Sequence, residues 1–208
     1  MITGLAFGGL LVGLPCGLVV GHLIKSAKIH HLPWSDEFAL ALAMAFLAMG
    51  ALMGVLAFDR RGRAILANPS APEFDVPVRP TEVVYFWLQA GVLLLAGLLL
   101  LAPVVVDIVT RGAPDALGLP TFLAIMAGFG LQTALNLMIW RRGDEVIRQV
   151  IVESAAVTFW LLQGAFFLWA AGEKLKVLPS LSSWDAMTLL MAVYLGVSSL
   201  VGFRRGLG

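Results

Sequence analysis

Six stretches of this chain, residues 2–24, 38–58, 83–106, 120–140, 147–171 and 184–203, run for 20 residues or more with almost no charge. An α-helix needs about 20 consecutive apolar residues to cross a bilayer, so each stretch is long enough to span one. A water-soluble core cannot hide them: 60% of the 208 residues are hydrophobic and 13% charged, and the apolar residues come in solid blocks rather than one-sided stripes. In hydrocarbon the backbone amides find no water, so each block must satisfy them within itself as a helix, and the alternation that marks a membrane barrel is absent. The predicted fold is therefore all-α: a polytopic membrane protein with six transmembrane helices arranged as three hairpins, one membrane domain over 1–208 and no soluble domain. Residues 1–3 supply no basic segment before the first block, which predicts a retained span rather than a cleaved signal.

Tryptophan and charge mark the ends of the blocks. Trp34, Trp87, Trp140, Trp169 and Trp184 fall at predicted interfaces, where an amphipathic ring sits between lipid and water, and Trp160 alone falls mid-span. On one side the connections carry nine basic residues: Arg60, Arg61, Arg63, Arg79, Arg141, Arg142, Arg148, Arg204 and Arg205. The other side carries five, Lys25, Lys28, Arg111, Lys174 and Lys176, so the positive-inside rule places both termini in the cytoplasm. With a net charge of +1 and no basic stripe, nucleic-acid binding is not expected. A single cysteine, Cys16, excludes an internal disulfide and a cysteine-based zinc cluster.

Between the second and third spans, 59–80 is the longest connection. Its Pro69, Pro72, Pro77 and Pro80 predict an extended, Pro-rich cytoplasmic loop. In the first span Gly9, Gly13, Gly17 and Gly21 recur every fourth residue, forming a groove that another helix backbone can approach closely. Gly50 and Gly54 repeat the spacing on the second span. These are the predicted helix-packing residues, serving contacts within the chain, with another copy or with another membrane protein.

The candidate site is a polar layer inside the membrane. Asp144 is placed to cap the fifth span, and Glu145, Gln149 and Glu153 follow at intervals of four on one helical face. Glu153 lies about 9 Å beyond Ile147 at 1.5 Å per residue; Gln132 and Asn136 bracket that depth on the fourth span, and Gln89 matches it on the third. Burying an ionisable group in a bilayer costs free energy unless it is paired, neutralised or hydrated, so the layer of Glu153, Gln132, Asn136, Gln89 and Gln149 either glues helices together or lines a site for a proton, cation or small polar solute.

Other chemistry is thinly represented. His30, His31 and Asp36 are metal-compatible donors, but adjacent histidines cannot share the i,i+4 face of a helical metal site, and no cofactor is expected. No nucleophile–base set, phosphate loop or metalloprotease signature is present, so an enzyme is not expected. The string Asp144 to Arg148 resembles strings that open membrane helices in various bacterial membrane proteins, and that resemblance implies no activity. The reading is a non-enzymatic component of the bacterial inner (plasma) membrane, an accessory or assembly subunit bound to lipid and to another membrane protein or a second copy. The alternative is a small channel or secondary transporter that uses the polar layer.

Overall fold

A computed structural model describes residues 32–68, 72–75, 77–110, 117–143 and 145–205. The first predicted span with Gly9, Gly13, Gly17 and Gly21, together with Cys16, His30 and His31, lies outside them. Among the described residues there are six helices and no strand: α1 (Trp34–Phe58), α2 (Arg60–Ala67), α3 (Pro80–Thr110), α4 (Gly118–Arg142), α5 (Glu145–Lys174) and α6 (Ser183–Arg204). All but α2 are long and apolar enough to cross a membrane. At 1.5 Å per residue they measure about 33 to 46 Å, against a hydrocarbon core of about 30 Å. Each begins one to four residues before its apolar block, and flanking groups such as Asp36, Glu37 and Glu82 suit a helix's first turn. The chain forms two compact units, one ending at Arg142 and one beginning at Gly143.

In the first unit, α1 and α3 run antiparallel and touch at glycines contributed by both. A Cβ on Gly50 would lie 2.9 Å from Leu94 Cγ and 3.1 Å from the Ala90 carbonyl oxygen. A Cβ on Gly97 would lie 2.6 Å from Leu47 Cγ and 2.8 Å from the Ala43 oxygen. Ala43, Gly50 and Ala57 on α1, and Ala90, Gly97 and Val104 on α3, are all buried and recur every seven residues. That period keeps two left-handedly supercoiled helices in register, and the small side chains let their backbones close up. Gly54 makes a looser contact, 3.9 Å from Trp87. Both second-span glycines singled out in the sequence thus face α3.

α4 packs on the other side of α3 and also antiparallel to it, with Gly91 against Leu135 and Gly128 against Leu99. Its contact stripe is Thr121, Ile125, Gly128, Gln132, Leu135 and Ile139, alternating steps of four and three, and apart from half-buried Gly118 and Trp140 near its ends the rest of its surface is exposed. Within α3, Pro103 has no amide hydrogen to offer, so the turn around Leu99 loses one helical hydrogen bond.

The connection after α1 is not extended from its start. The Asp59 carboxylate accepts from the Arg61 amide at 3.2 Å and opens α2, and Gly62 lies so close to the Leu56 backbone that a Cβ would overlap it. Arg60 then donates to the Asp75 carbonyl at 3.1 Å, fastening the later part of the loop back onto this helix. Three arginines beside Ala64, Ile65 and Leu66 make a short amphipathic helix, which the prolines, beginning only at Pro69, do not prevent.

The second unit is a helical hairpin with a tightly fastened tip. After α5, the Val177 amide donates to the Gly172 oxygen at 2.8 Å and the Lys176 amide to the Glu173 oxygen at 2.9 Å, with Lys176 at φ 60°. This pair of bonds is the Schellman ending, in which the left-handed position usually belongs to glycine. Leu178 folds over Gly172, where a Cβ would lie 2.7 Å from its Cδ1. Trp169 Nε1 donates to the Pro179 oxygen at 3.1 Å, and Ser182 and Asp185 exchange the reciprocal bonds of a capping box at 3.0 and 3.1 Å to start α6. Because Lys176 occupies a backbone region that costs an L-residue about 1 kcal/mol, Lys176→Gly is expected to raise the unfolding midpoint in detergent. A lowered midpoint would mean that the lysine side chain holds the turn.

Candidate functional site

The polar residues picked out in the sequence divide between the units. Gln89, Gln132 and Asn136 belong to the first; Gln149 and Glu153 belong to the second.

In the first unit the three meet no common partner among the described residues. Gln89 Nε2 donates to the Tyr85 hydroxyl one turn earlier. Gln132 lies half-buried in the α4 stripe that meets α3, whereas Asn136, one residue past the stripe position Leu135, is exposed. Four residues advance a helix by about 400°, and that extra 40° carries Asn136 off the stripe.

In the second unit the structure assembles a cluster. Glu145, Gln149 and Glu153 line one edge of α5, and Gln149 Nε2 donates to Glu145 Oε1 at 3.2 Å. Across the hairpin Arg205, just past the end of α6, reaches this edge. Its Nε and Nη2 donate to Glu153 Oε2 at 2.9 and 2.6 Å, and its Nη1 donates to Gln149 Oε1. Both charged side chains are about a third exposed (37% for Arg205, 35% for Glu153), which puts the pair at the open end of the hairpin. Arg205 therefore neutralises the carboxylate and uses all three kinds of guanidinium nitrogen to do so.

Sequence reasoning missed Arg205 as the partner of Glu153. The signal was present: in an antiparallel hairpin with a short tip, residue numbers rise along one arm as they fall along the other, so residues equally far from the tip meet. A carboxylate two turns into one arm must then meet the last turn of the other, where Arg204 and Arg205 stand.

Comparison with known proteins adds no family. No family model matches the chain, and no curated protein or solved structure is similar to it. The site is thus defined by its own geometry.

Asp36 lies in the first turn of α1, and among the described residues no three His, Cys, Asp or Glu side chains converge as a metal site would require. The α5–α6 interface contains a second polar feature that the sequence reading passed over. Ser154 and Thr158 on α5, and Trp184, Thr188 and Ser198 on α6, have side-chain polar atoms sealed from solvent and bonded to nothing. Their spacing is the clue: Trp184, Thr188, Met191, Leu195 and Ser198 alternate steps of four and three, the contact stripe of a packed helix.

Proposed function

We propose that this chain is a non-enzymatic subunit of the bacterial inner membrane, with six spans in three hairpins and both termini in the cytoplasm, that assembles with another membrane protein through its lipid-level surfaces. The observation carrying this reading is the engagement of Glu153 by Arg205. A carboxylate that binds and releases a solute needs its charge available, and here the charge is spent joining two helices. Gln89 is likewise engaged by Tyr85, and Thr110, Thr133 and Ser199 bond their own helix backbones at 2.7 to 2.8 Å. What the helices offer outward is apolar area. Phe122, Met126, Phe129 and Leu137 on α4, with Gly130 and Asn136 among them, make a surface that both lipid and a neighbouring helix can cover.

The second reading, a small channel or secondary transporter, draws on Gln132 and Asn136, neither of which bonds to another described residue. Two measurements separate the readings. Purified in a mild detergent, a subunit gives a stoichiometric complex with a larger membrane protein, and in liposomes the chain alone passes no protons or cations. Flux from the isolated chain that disappears in Glu153→Gln and in Asn136→Leu would replace the subunit reading with the transporter.

A further inference from the structure

The α5–α6 seam is layered along its length. Glu153 against Arg205 sets the antiparallel register, and counting back from it along both arms at 1.5 Å per residue brings Thr158 within about 3 Å of the level of Ser198 and Leu162 within about 2 Å of that of Leu195. Toward the Arg205 end lie Ser154, Thr158 and Ser198. Leu162, 8% exposed, and the stripe residues Leu195 and Met191 form a dry middle. Beyond it come Thr188 and Trp184, with Thr188 about 15 Å along α6 from Ser198.

Among the described residues, three hydroxyls cluster unbonded at the Arg205 end, and Thr188 lies alone in the same state beyond the dry middle. Ser154 is 1% exposed and Thr158 5%, and the oxygens of both and of Ser198 have no hydrogen-bond partner. Three other hydroxyls on the helices turn back onto their own carbonyls: Thr110 to Val106, Thr133 to Phe129 and Ser199 to Leu195. Neighbours Ser198 and Ser199 make the contrast plain, because the one facing away from the stripe bonds its own helix and the one on the stripe does not. A buried hydroxyl without a partner is costly, and burial of such groups is normally accompanied by an ordered water.

We propose that this third of the seam is a water inlet: water enters beside the Glu153–Arg205 pair, bonds to Ser154, Thr158 and Ser198, and is stopped by Leu162 and Leu195. Water is the ligand that fits the chemistry. Each hydroxyl both donates and accepts, as water does, while a cation would need acceptors alone and an anion donors alone. The flanking carboxylate already has its arginine, so no net charge is left to hold an ion. The pair at the mouth is about a third exposed and is the way in. Solvent, and with it the protons it carries, then reaches about 10 Å from Arg205 into the hairpin, as far as the level of Ser198. This inference does not depend on the partner proposed above.

Thiol accessibility to silver ion, which is small enough to follow water, tests the inlet on the full-length protein. In a Cys16→Ala background, single cysteines replace Ser154, Thr158 and Ser198, with Leu162→Cys in the dry layer and Leu161→Cys on the exposed apolar face as references. A thiol ionises where water reaches it, so the three seam positions are expected to react at least about tenfold faster than either reference. Thr158→Val, which removes a hydroxyl that anchors water, should slow the reaction at Ser198→Cys several-fold, while Thr158→Ser should leave it unchanged. Seam thiols that react no faster than Leu161→Cys, or a Ser198→Cys rate indifferent to Thr158→Val, overturn the inlet and return these hydroxyls to their own helix backbones.

Discussion

Replacing Gly97 with valine is expected to separate α1 from α3 and to cost the first unit about 3 kcal/mol, the upper end of what overpacking imposes. The reason is what the new Cβ would meet. Leu47 Cγ, at 2.6 Å, can swing aside, but the Ala43 carbonyl oxygen, at 2.8 Å, belongs to a helix backbone and moves only with the whole of α1. Separation undoes more than one contact, because Gly50 touches α3 in the same way two turns along. Within a bilayer no hydrophobic drive pushes the helices back together, since lipid tails receive the exposed surface as readily as a neighbouring helix does. Gly130→Val is the control: nothing lies within 4 Å of a Cβ built there, so its effect should stay within about 0.5 kcal/mol. Thermal unfolding in detergent measures both. Equal midpoints for the two variants would mean that the α1–α3 approach is not what holds this unit together.

Arg205→Ala is expected to loosen the α5–α6 hairpin by about 1–2 kcal/mol, less than a buried pair would cost because water screens groups that are a third exposed. Two parts make up that loss. The charge-assisted bonds to Glu153 and Gln149 vanish, and the Glu153 carboxylate is left at a membrane-level helix face without a counter-charge. The second part can be recovered, so Glu153→Gln placed on top of Arg205→Ala should restore about half of the stability, a coupling that a double-mutant cycle reads directly. Arg205→Lys keeps the charge but loses the forked geometry and should fall between. Arg204→Ala, at an exposed position in the last turn, should change little. Additive effects of Glu153→Gln and Arg205→Ala would show that the two side chains do not bear on each other.

What the residues disclosed in advance follows from the range over which each signal acts. Five of the apolar blocks coincide with the long helices because span-forming information is contiguous: 20 neighbouring residues either bury in lipid or do not. Gly50 was legible for the same reason, as one of a spaced pair. Its counterpart Gly97 was not, since its value appears only when α1 is laid antiparallel against α3 and the seven-residue spacing from Ala90 meets Ala43 and Leu47. The helix α2 was hidden behind its prolines, although Asp59 two residues before the Arg61 amide is an ordinary cap. Glu153 stood out as a carboxylate that must be paired, neutralised or hydrated, and Gln149 bonds Glu145 on the same face while sharing Arg205 with Glu153. The partner, 52 residues away, needed the tip geometry at Lys176 and Ser182 that fixes how the arms align. The depth match among Gln89, Gln132 and Glu153 compared distances from helix ends and carried no information on which faces meet.

Lipid is the solvent for these long apolar helices, and the proposed six-span arrangement puts Arg61 and Lys174 on opposite sides of it. Single cysteines in place of Arg61 and Lys174, in a Cys16→Ala background, probed with a membrane-impermeant thiol reagent on intact cells and then on opened ones, test it most directly. The arrangement predicts that Lys174→Cys is labelled in intact cells and Arg61→Cys only after opening. Equal labelling of the two positions from one side would contradict it.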